Sequence, residues 1–210
     1  MKVAILGSGP SGMMAAHAAA QCGYYVDIFD SSPDKSRRNS GVYLIHDDCD
    51  LLLDSVEIKQ TVLGTVLLSP DEIAKAYGDK VYGKAISNTS VMEAVRQDFV
   101  TGYNAGQAID RLWDLYGGQV QRHVIGGMED VLRLFDSYDK IVSTIPVGIL
   151  YPEYQCESVE LWIKVGKAPE EEAFIFYNVN PHCDWYRCSA IFGVFAVSYT
   201  HLRAHETVLD

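Results

Sequence analysis

The sequence predicts an α/β protein: a parallel sheet opened by an N-terminal βαβ unit, joined to a smaller antiparallel sheet. Three observations predict it. The chain begins with an apolar run, a glycine-rich turn and an alanine-rich segment, KVAILGSGPSGMMAAHAAAQCG. A second buried-strand pattern, YYVDIFD, follows at once. Beyond residue 150 the pattern changes to short runs of β-branched and aromatic residues separated by turn-forming segments.

KVAIL lacks the alternation of a half-exposed strand, so it reads as a strand buried on both faces. Gly7, Gly9 and Gly12 then stand in G-x-G-x-x-G spacing, with Ser8, Pro10 and Ser11 between them. In such a turn Gly7 permits the tight bend. Gly9 lets the backbone approach a pyrophosphate, and Gly12 lets the helix pack close to the strand. The helix over SGMMAAHAAAQCG is rich in good helix formers, and Gly23 suits its C-terminal cap. Its N-terminus offers unpaired N–H groups and the positive dipole end to an anion. YYVDIFD ends at Asp30, followed by Ser31. That carboxylate stands at the distance from Gly7 at which an acid meets the ribose hydroxyls of an adenine dinucleotide. These parts make one Rossmann-like dinucleotide-binding unit. The fingerprint serves FAD and NAD alike; an NADP 2′-phosphate is disfavoured by the charge of Asp30.

Further along, VEIKQTVLGTVLLS alternates loosely and suggests a strand pair. SPDEIAKAYG opens on a capping Ser69 with Pro70 at the first helical position. NAGQAIDRLWDLYGG puts Ala108, Leu112 and Leu115 on one helical face and stops at Gly117. GGQVQRHVIGG reads as a strand, GGMEDVLRLFDSYD as a short amphipathic helix, and YDKIVSTIP as a buried strand halted by Pro146. VELWIKVG, AFIFYNVN and DWYRCSAIFGVFA read as three strands of an antiparallel substrate domain. The expected division is residues 1–68 and 105–150 for the dinucleotide-binding domain, 69–104 as an insertion and 151–196 as a partial substrate domain.

The formal net charge of −11 opposes binding to nucleic acid, which needs a basic patch. No stretch reaches the length of apolar residues that a membrane span requires. Five cysteines without a C-x-x-C pair point away from a disulfide framework or a metal site and toward a cytoplasmic protein. Sequences without G-x-S-x-G, H-E-x-x-H or a P-loop lose the hydrolase, zincin and P-loop NTPase readings, and this is one. The expected partner is a small-molecule substrate. Its candidate contacts are His46, Trp185, Tyr186 and Arg187, with Tyr43 and His182 nearby in sequence. Arg187 suits a carboxylate or phosphate, and Trp185 and Tyr186 suit a ring.

The form G-S-G-P-S-G, with Pro10 inside it, resembles the turn of FAD-binding proteins of the glutathione-reductase and amine-oxidase type. YDKIVSTIP resembles the strand by which such proteins return to the nucleotide domain near the cofactor. The resemblance implies FAD held by Gly7, Ser8, Gly9, Pro10, Ser11, Gly12, Asp30 and Ser31. It places Thr144 near the cofactor and Val124 beside the adenine. The loop DKSRRNSGVYLIH would pack on the pyrophosphate and ribityl chain, with Arg38 on phosphate. NAD(P)H is the candidate reductant. The STIP strand also resembles UDP-galactopyranose-mutase-like isomerases, so an FAD-dependent isomerase stays open. An NAD(P)-binding oxidoreductase and a non-catalytic dinucleotide-binding protein stay open too. Over most of residues 1–193 the pattern resembles a group of bacteriophage-encoded FAD-dependent oxidoreductases. The shared segments are the glycine turn, Gly64-Thr65, KVYG at Lys80–Gly83, RLW ending at Trp113, STIP, and WYR at Trp185–Arg187. The glycine-rich C-terminal segment usual in such flavoproteins is expected beyond Ala196. Residues 197–210, VSYTHLRAHETVLD, resemble a translated sequencing adapter and are expected to be a non-native tail.

Overall fold

The computed structural model describes residues 1–32, 34, 42–44, 50–65, 68–84, 88–154 and 161–199. The elements in chain order begin β1 (Lys2–Leu6), α1 (Pro10–Gln21), β2 (Tyr25–Asp30), β3 (Tyr43–Leu44), β4 (Ser55–Leu63), α2 (Pro70–Tyr82) and α3 (Thr89–Arg96). They continue β5 (Phe99–Asn104), α4 (Ala105–Tyr116), β6 (Val120–Arg122), α5 (Met128–Leu134), β7 (Lys140–Ser143) and α6 (Val147–Leu150). The last are β8 (Trp162–Lys167), β9 (Phe174–Asn178), β10 (Trp185–Ile191) and β11 (Val194–Tyr199). The fold is α/β, with a four-stranded parallel sheet in one unit and a seven-stranded, mostly antiparallel sheet in another.

The first unit takes Met1–Gly41 and Ala105–Glu157. Its strands run in the order β6-β2-β1-β7, all parallel. Central β1 is the buried strand its composition predicts: Ala4, Ile5 and Leu6 have no exposed surface. Helix α1 turns Gly12, Met13, Ala16 and His17 inward, and His17 Nδ1 meets the Tyr116 hydroxyl of α4 at 2.9 Å. A second cluster gathers Ala4, Leu6, Phe29 and Val131 with Ile125, Met128 and Ile141. In α4 the buried stripe runs through Ala105, Ala108, Ile109, Leu112 and Tyr116, and Leu115, expected on that face, is exposed. The four-residue step from Leu112 reaches Tyr116, whose hydroxyl is held by His17, and this rotates Leu115 outward.

The second unit takes Val42–Asn104 and Ser158–Asp210. Its sheet order is β3-β5-β4-β9-β10-β11-β8, antiparallel except for the β4–β9 pair. Helices α2 and α3 contribute Ile73, Tyr77, Val81, Val91 and Ala94 to a core shared with Ile58, Ile175, Tyr177, Tyr186 and Ile191.

Some local expectations differ from the structure. Residues 42–68 go with the second unit, and 69–104 are no separate insertion, because β4 pairs with β5 on one edge and β9 on the other. Of the expected strand pair over 56–69, the first member is the nine-residue Ser55–Leu63, followed by Gly64 at φ +84°; residues 66 and 67 lie outside the described residues. DWYRCSAIFGVFA is a hairpin: Phe192 and Gly193 adopt φ 50° and 73°, the left-handed pair that closes a two-residue turn. An aromatic residue in that conformation hid the turn inside an apolar run. Finally, Val197, Ser198 and Tyr199 complete β11, pairing with Cys188, Arg187 and Trp185 on one side and β8 on the other.

Candidate functional site

Parallel strands bring their C-terminal ends to one edge, and in the first unit that edge carries the glycine turn. Gly7 sits at φ +98°, and its N–H donates to the Phe29 carbonyl (2.8 Å). A Cβ on Gly7 would stand 2.7 Å from Thr144 Oγ1, and one on Gly12 would overlap the Gly7 carbonyl oxygen. Both glycines are therefore demanded by the protein's own packing. Gly9 differs: its backbone is extended and ordinary (φ −68°, ψ 178°), and a Cβ there would meet no atom of the described residues within 4 Å. Gly9 is also the N-cap of α1, which has no side-chain cap and no acid in its first turn. Unpaired N–H groups and the positive helix end therefore face open space beside a residue without a side chain.

Asp30 closes this turn from the next strand. Its Oδ2 accepts from the Ser8 N–H (2.7 Å) and the Ser8 hydroxyl (2.8 Å), and its Oδ1 from the Ser32 N–H (2.8 Å). Ser8 is fully buried, turned toward Asp30. Pro10, Ser11 and Ser31 are exposed at the turn's mouth. Thr144, at the end of β7, is tied to the end of β1: its N–H and its hydroxyl both donate to the Leu6 carbonyl (2.8 and 2.9 Å). Val124 is exposed, one residue past His123, whose N–H donates to the Asp30 carbonyl (2.9 Å). The edge thus assembles Gly7–Gly12, Asp30, Ser31, Val124 and Thr144. Arg38 and His46 lie outside the described residues.

The second unit holds a cavity of about 320 Å³ lined by Tyr43, Tyr77, Val81, Tyr82, Asn88, Leu161, Tyr177, Tyr186 and Arg187. Tyr186 and Arg187 both line it, where β10 shifts register between Trp185 and Arg187. Trp185 does not join them; its carbonyl instead accepts from Lys80 Nζ (2.8 Å). His182 is exposed, its N–H bound to Asn180 Oδ1 (2.9 Å). The Arg187 guanidinium donates to the Tyr43 hydroxyl and lies 5.7 Å and 5.9 Å from the Tyr43 and Tyr177 ring centres. Tyr77 packs edge-on against both Tyr177 and Tyr186. Burial pushes the Tyr177 hydroxyl up to about 12, with Arg187 pulling weakly the other way. Burial likewise raises Tyr43, Tyr77 and Tyr186. All four are therefore neutral at physiological pH. Tyr77, Tyr177 and Asn88 were not among the sequence candidates, because nothing in their local sequence marks a shared cavity.

Among the described residues, no group of three or more His, Cys, Asp or Glu is placed to hold a metal, and no helix is long and apolar enough to cross a membrane.

No family model and no curated protein matches the chain. Solved structures match it in fold. The PF1083 protein from Pyrococcus furiosus is 12% identical over 95% of this chain and 80% of its own, with a TM-score of 0.59. An oxidoreductase from Methanosarcina mazei is 12% identical over 96% of this chain and 79% of its own, with a TM-score of 0.58. A variant of 2-methyl-3-hydroxypyridine-5-carboxylic acid oxygenase is 12% identical over 98% of this chain and 60% of its own, with a TM-score of 0.51. At such identities the likeness is one of fold, and the chain shares that fold with an oxidoreductase and an oxygenase.

Proposed function

We propose that the chain binds FAD at the glycine turn and acts as an FAD-dependent oxidoreductase on a small molecule. One observation carries the reading. Of the three glycines in the turn, Gly9 alone meets no packing demand from the described residues, and it lies at a helix N-terminus without a side-chain cap. A pyrophosphate over Gly9 would accept from the first N–H groups of α1. A ribose hydroxyl would take the place of the Ser8 hydroxyl on Asp30, one hydroxyl donor exchanged for another. Val124 would flank the adenine. Pro10 within the turn and the returning strand β7 favour FAD over NAD by their resemblance to flavoproteins. When bound, FAD supplies hydride transfer, and the chain supplies its position and electrostatics. NAD(P)H is the proposed reductant.

The test is the visible spectrum of the purified protein, with chromatography of the nucleotide released on denaturation. Flavin bands and released FAD are expected, with bleaching by NAD(P)H. The Gly9→Glu variant should stay folded and lose the flavin, because its side chain fills the space the pyrophosphate needs. Stoichiometric FAD in that variant would overturn the site, and a colourless protein that binds NAD(H) would overturn the cofactor.

A further inference from the structure

We infer that the cavity of the second unit binds a planar aromatic acid, with Arg187 taking the carboxylate and the surrounding tyrosines taking the ring. The inference rests on the reading of the chain as acting on a small molecule, but nothing in it needs the cofactor.

Arg187 carries it. Its Nε is buried without a hydrogen-bond partner, and among the described residues its guanidinium has one acceptor, the Tyr43 hydroxyl. No ion pair joins it to a carboxylate among those residues. The chain has 28 acidic residues against 17 Lys and Arg, so acids were not scarce; among the described residues none is paired with this cation. A half-buried guanidinium whose Nε is shut from solvent with no described partner carries a desolvation cost, and the lining tyrosines, held neutral by burial, supply no anion. The missing anion is the natural ligand group.

Its shape follows from the walls. The guanidinium lies near the Tyr43 and Tyr177 rings, and its Nε and second NH2 group have no acceptor among the described residues, which leaves donors suited to a carboxylate. Tyr77, Tyr186, Val81 and Leu161 offer ring and aliphatic surface. Asn88 spends its Oδ1 on the Val91 N–H (3.1 Å), which leaves its amide donor for a polar ring substituent. The volume sits at the small end of ligand pockets, roughly 300–1,000 Å³.

Charge selects carboxylate over phosphate. A phosphate dianion calls for more than one cation, and the nearby Lys80 is spent. Its Nζ donates to the carbonyls of Asn178, Asn180 and Trp185 at 3.1, 2.7 and 2.8 Å.

Calorimetric titration of the full chain tests this with three probes: benzoate, its neutral isostere benzamide, and inorganic phosphate. Benzoate should saturate one site, with benzamide at least tenfold weaker. Arg187→Gln should weaken benzoate at least tenfold, and Arg187→Lys, which keeps the charge without the fork, by less. Should Arg187→Gln fail to fold, the benzoate-to-benzamide ratio and the Arg187→Lys titration decide. Equal binding of benzoate and benzamide, unchanged benzoate affinity in a folded Arg187→Gln protein, or no saturable benzoate binding overturns the inference. Phosphate binding tighter than benzoate overturns the class of acid. A protein that binds benzoate through Arg187 but releases no flavin keeps this site and loses the cofactor reading; a flavoprotein indifferent to benzoate does the reverse.

Discussion

Helices α1 and α2 both begin on a proline, Pro10 and Pro70, yet their first turns are built in opposite ways. Helix α2 closes its own end. The Ser69 side chain accepts from the Glu72 N–H, and Glu72 reaches back to the Ser69 N–H (2.8 Å) and hydroxyl (2.7 Å). Asp71 and Glu72 place negative charge on the positive end of the dipole. Helix α1 has glycine at the cap and no acid in the turn. Both helices pay the same backbone cost of starting. Only α2 recovers it from its own side chains; the first turn of α1 has no such side-chain partner. The contrast also separates the three glycines, since Gly7 and Gly12 serve the strand–helix contact while Gly9 serves open space.

The sharpest way to break that separation is to place one methyl at each site. Gly12→Ala drives a Cβ into the Gly7 carbonyl and toward Thr144. It should cost about 3 kcal/mol or more, since backbone on a central strand cannot yield as a side chain tip can. Gly9→Ala should stay within about 0.5 kcal/mol of the parent. Urea unfolding of the two variants measures both. Equal losses would mean that Gly9 is also held by packing, and the cofactor reading would lose its main support.

That separation was legible in the sequence for a physical reason. The turn is one contiguous segment: Gly12 packs on Gly7 and Asp30 binds Ser8, and only the Thr144 contact comes from far along the chain. The link from Ser8 to Asp30 was not legible, because ribose and serine offer the carboxylate the same donor chemistry. The cavity was still less so. Tyr43, Tyr77, Asn88, Tyr177 and Arg187 come from different strands and helices, and they meet only because β4 pairs with β9. Tyr186 and Arg187 stood out as a ring beside a guanidinium, but that both reach one cavity depends on the register shift in β10, which the sequence does not show. Trp185 carried the same aromatic signal, but its place is the backbone clasp of Lys80. The hairpin at Phe192–Gly193 was hidden by apolar composition, which says nothing of the sign of φ.

A smaller effect tests the closed end. Ser69→Ala removes the cap and should cost about 1 kcal/mol. Its pH dependence is distinctive. The hydrogen bond with the Ser69 side chain, then that with its backbone, holds Glu72 below the ordinary carboxylate range. A carboxylate so lowered adds stability that is present above its unfolded value, about 4.3, and is lost as pH falls through the folded value. The gap between parent and variant should therefore be full at pH 7 and shrink below pH 4. A gap independent of pH would show that Glu72 has no part in the cap.

The smallest effect is the most discriminating. Gly9→Asp would give α1 the kind of cap that α2 has. The extended backbone at Gly9 suits any residue, and no described residue fills the space above it. The introduced carboxylate can accept from the N–H of Ser11 or Gly12. Against glycine, such a cap is worth only a few tenths of a kcal/mol. The cofactor-free protein should therefore become slightly more stable in thermal unfolding. The same carboxylate occupies the anion's place and repels a pyrophosphate, so bound flavin should disappear. Stability and binding would then move in opposite directions from one substitution. A fold defect cannot produce that, since it lowers both. A destabilised variant would show instead that the end of α1 is closed to a side chain, and with it to a ligand.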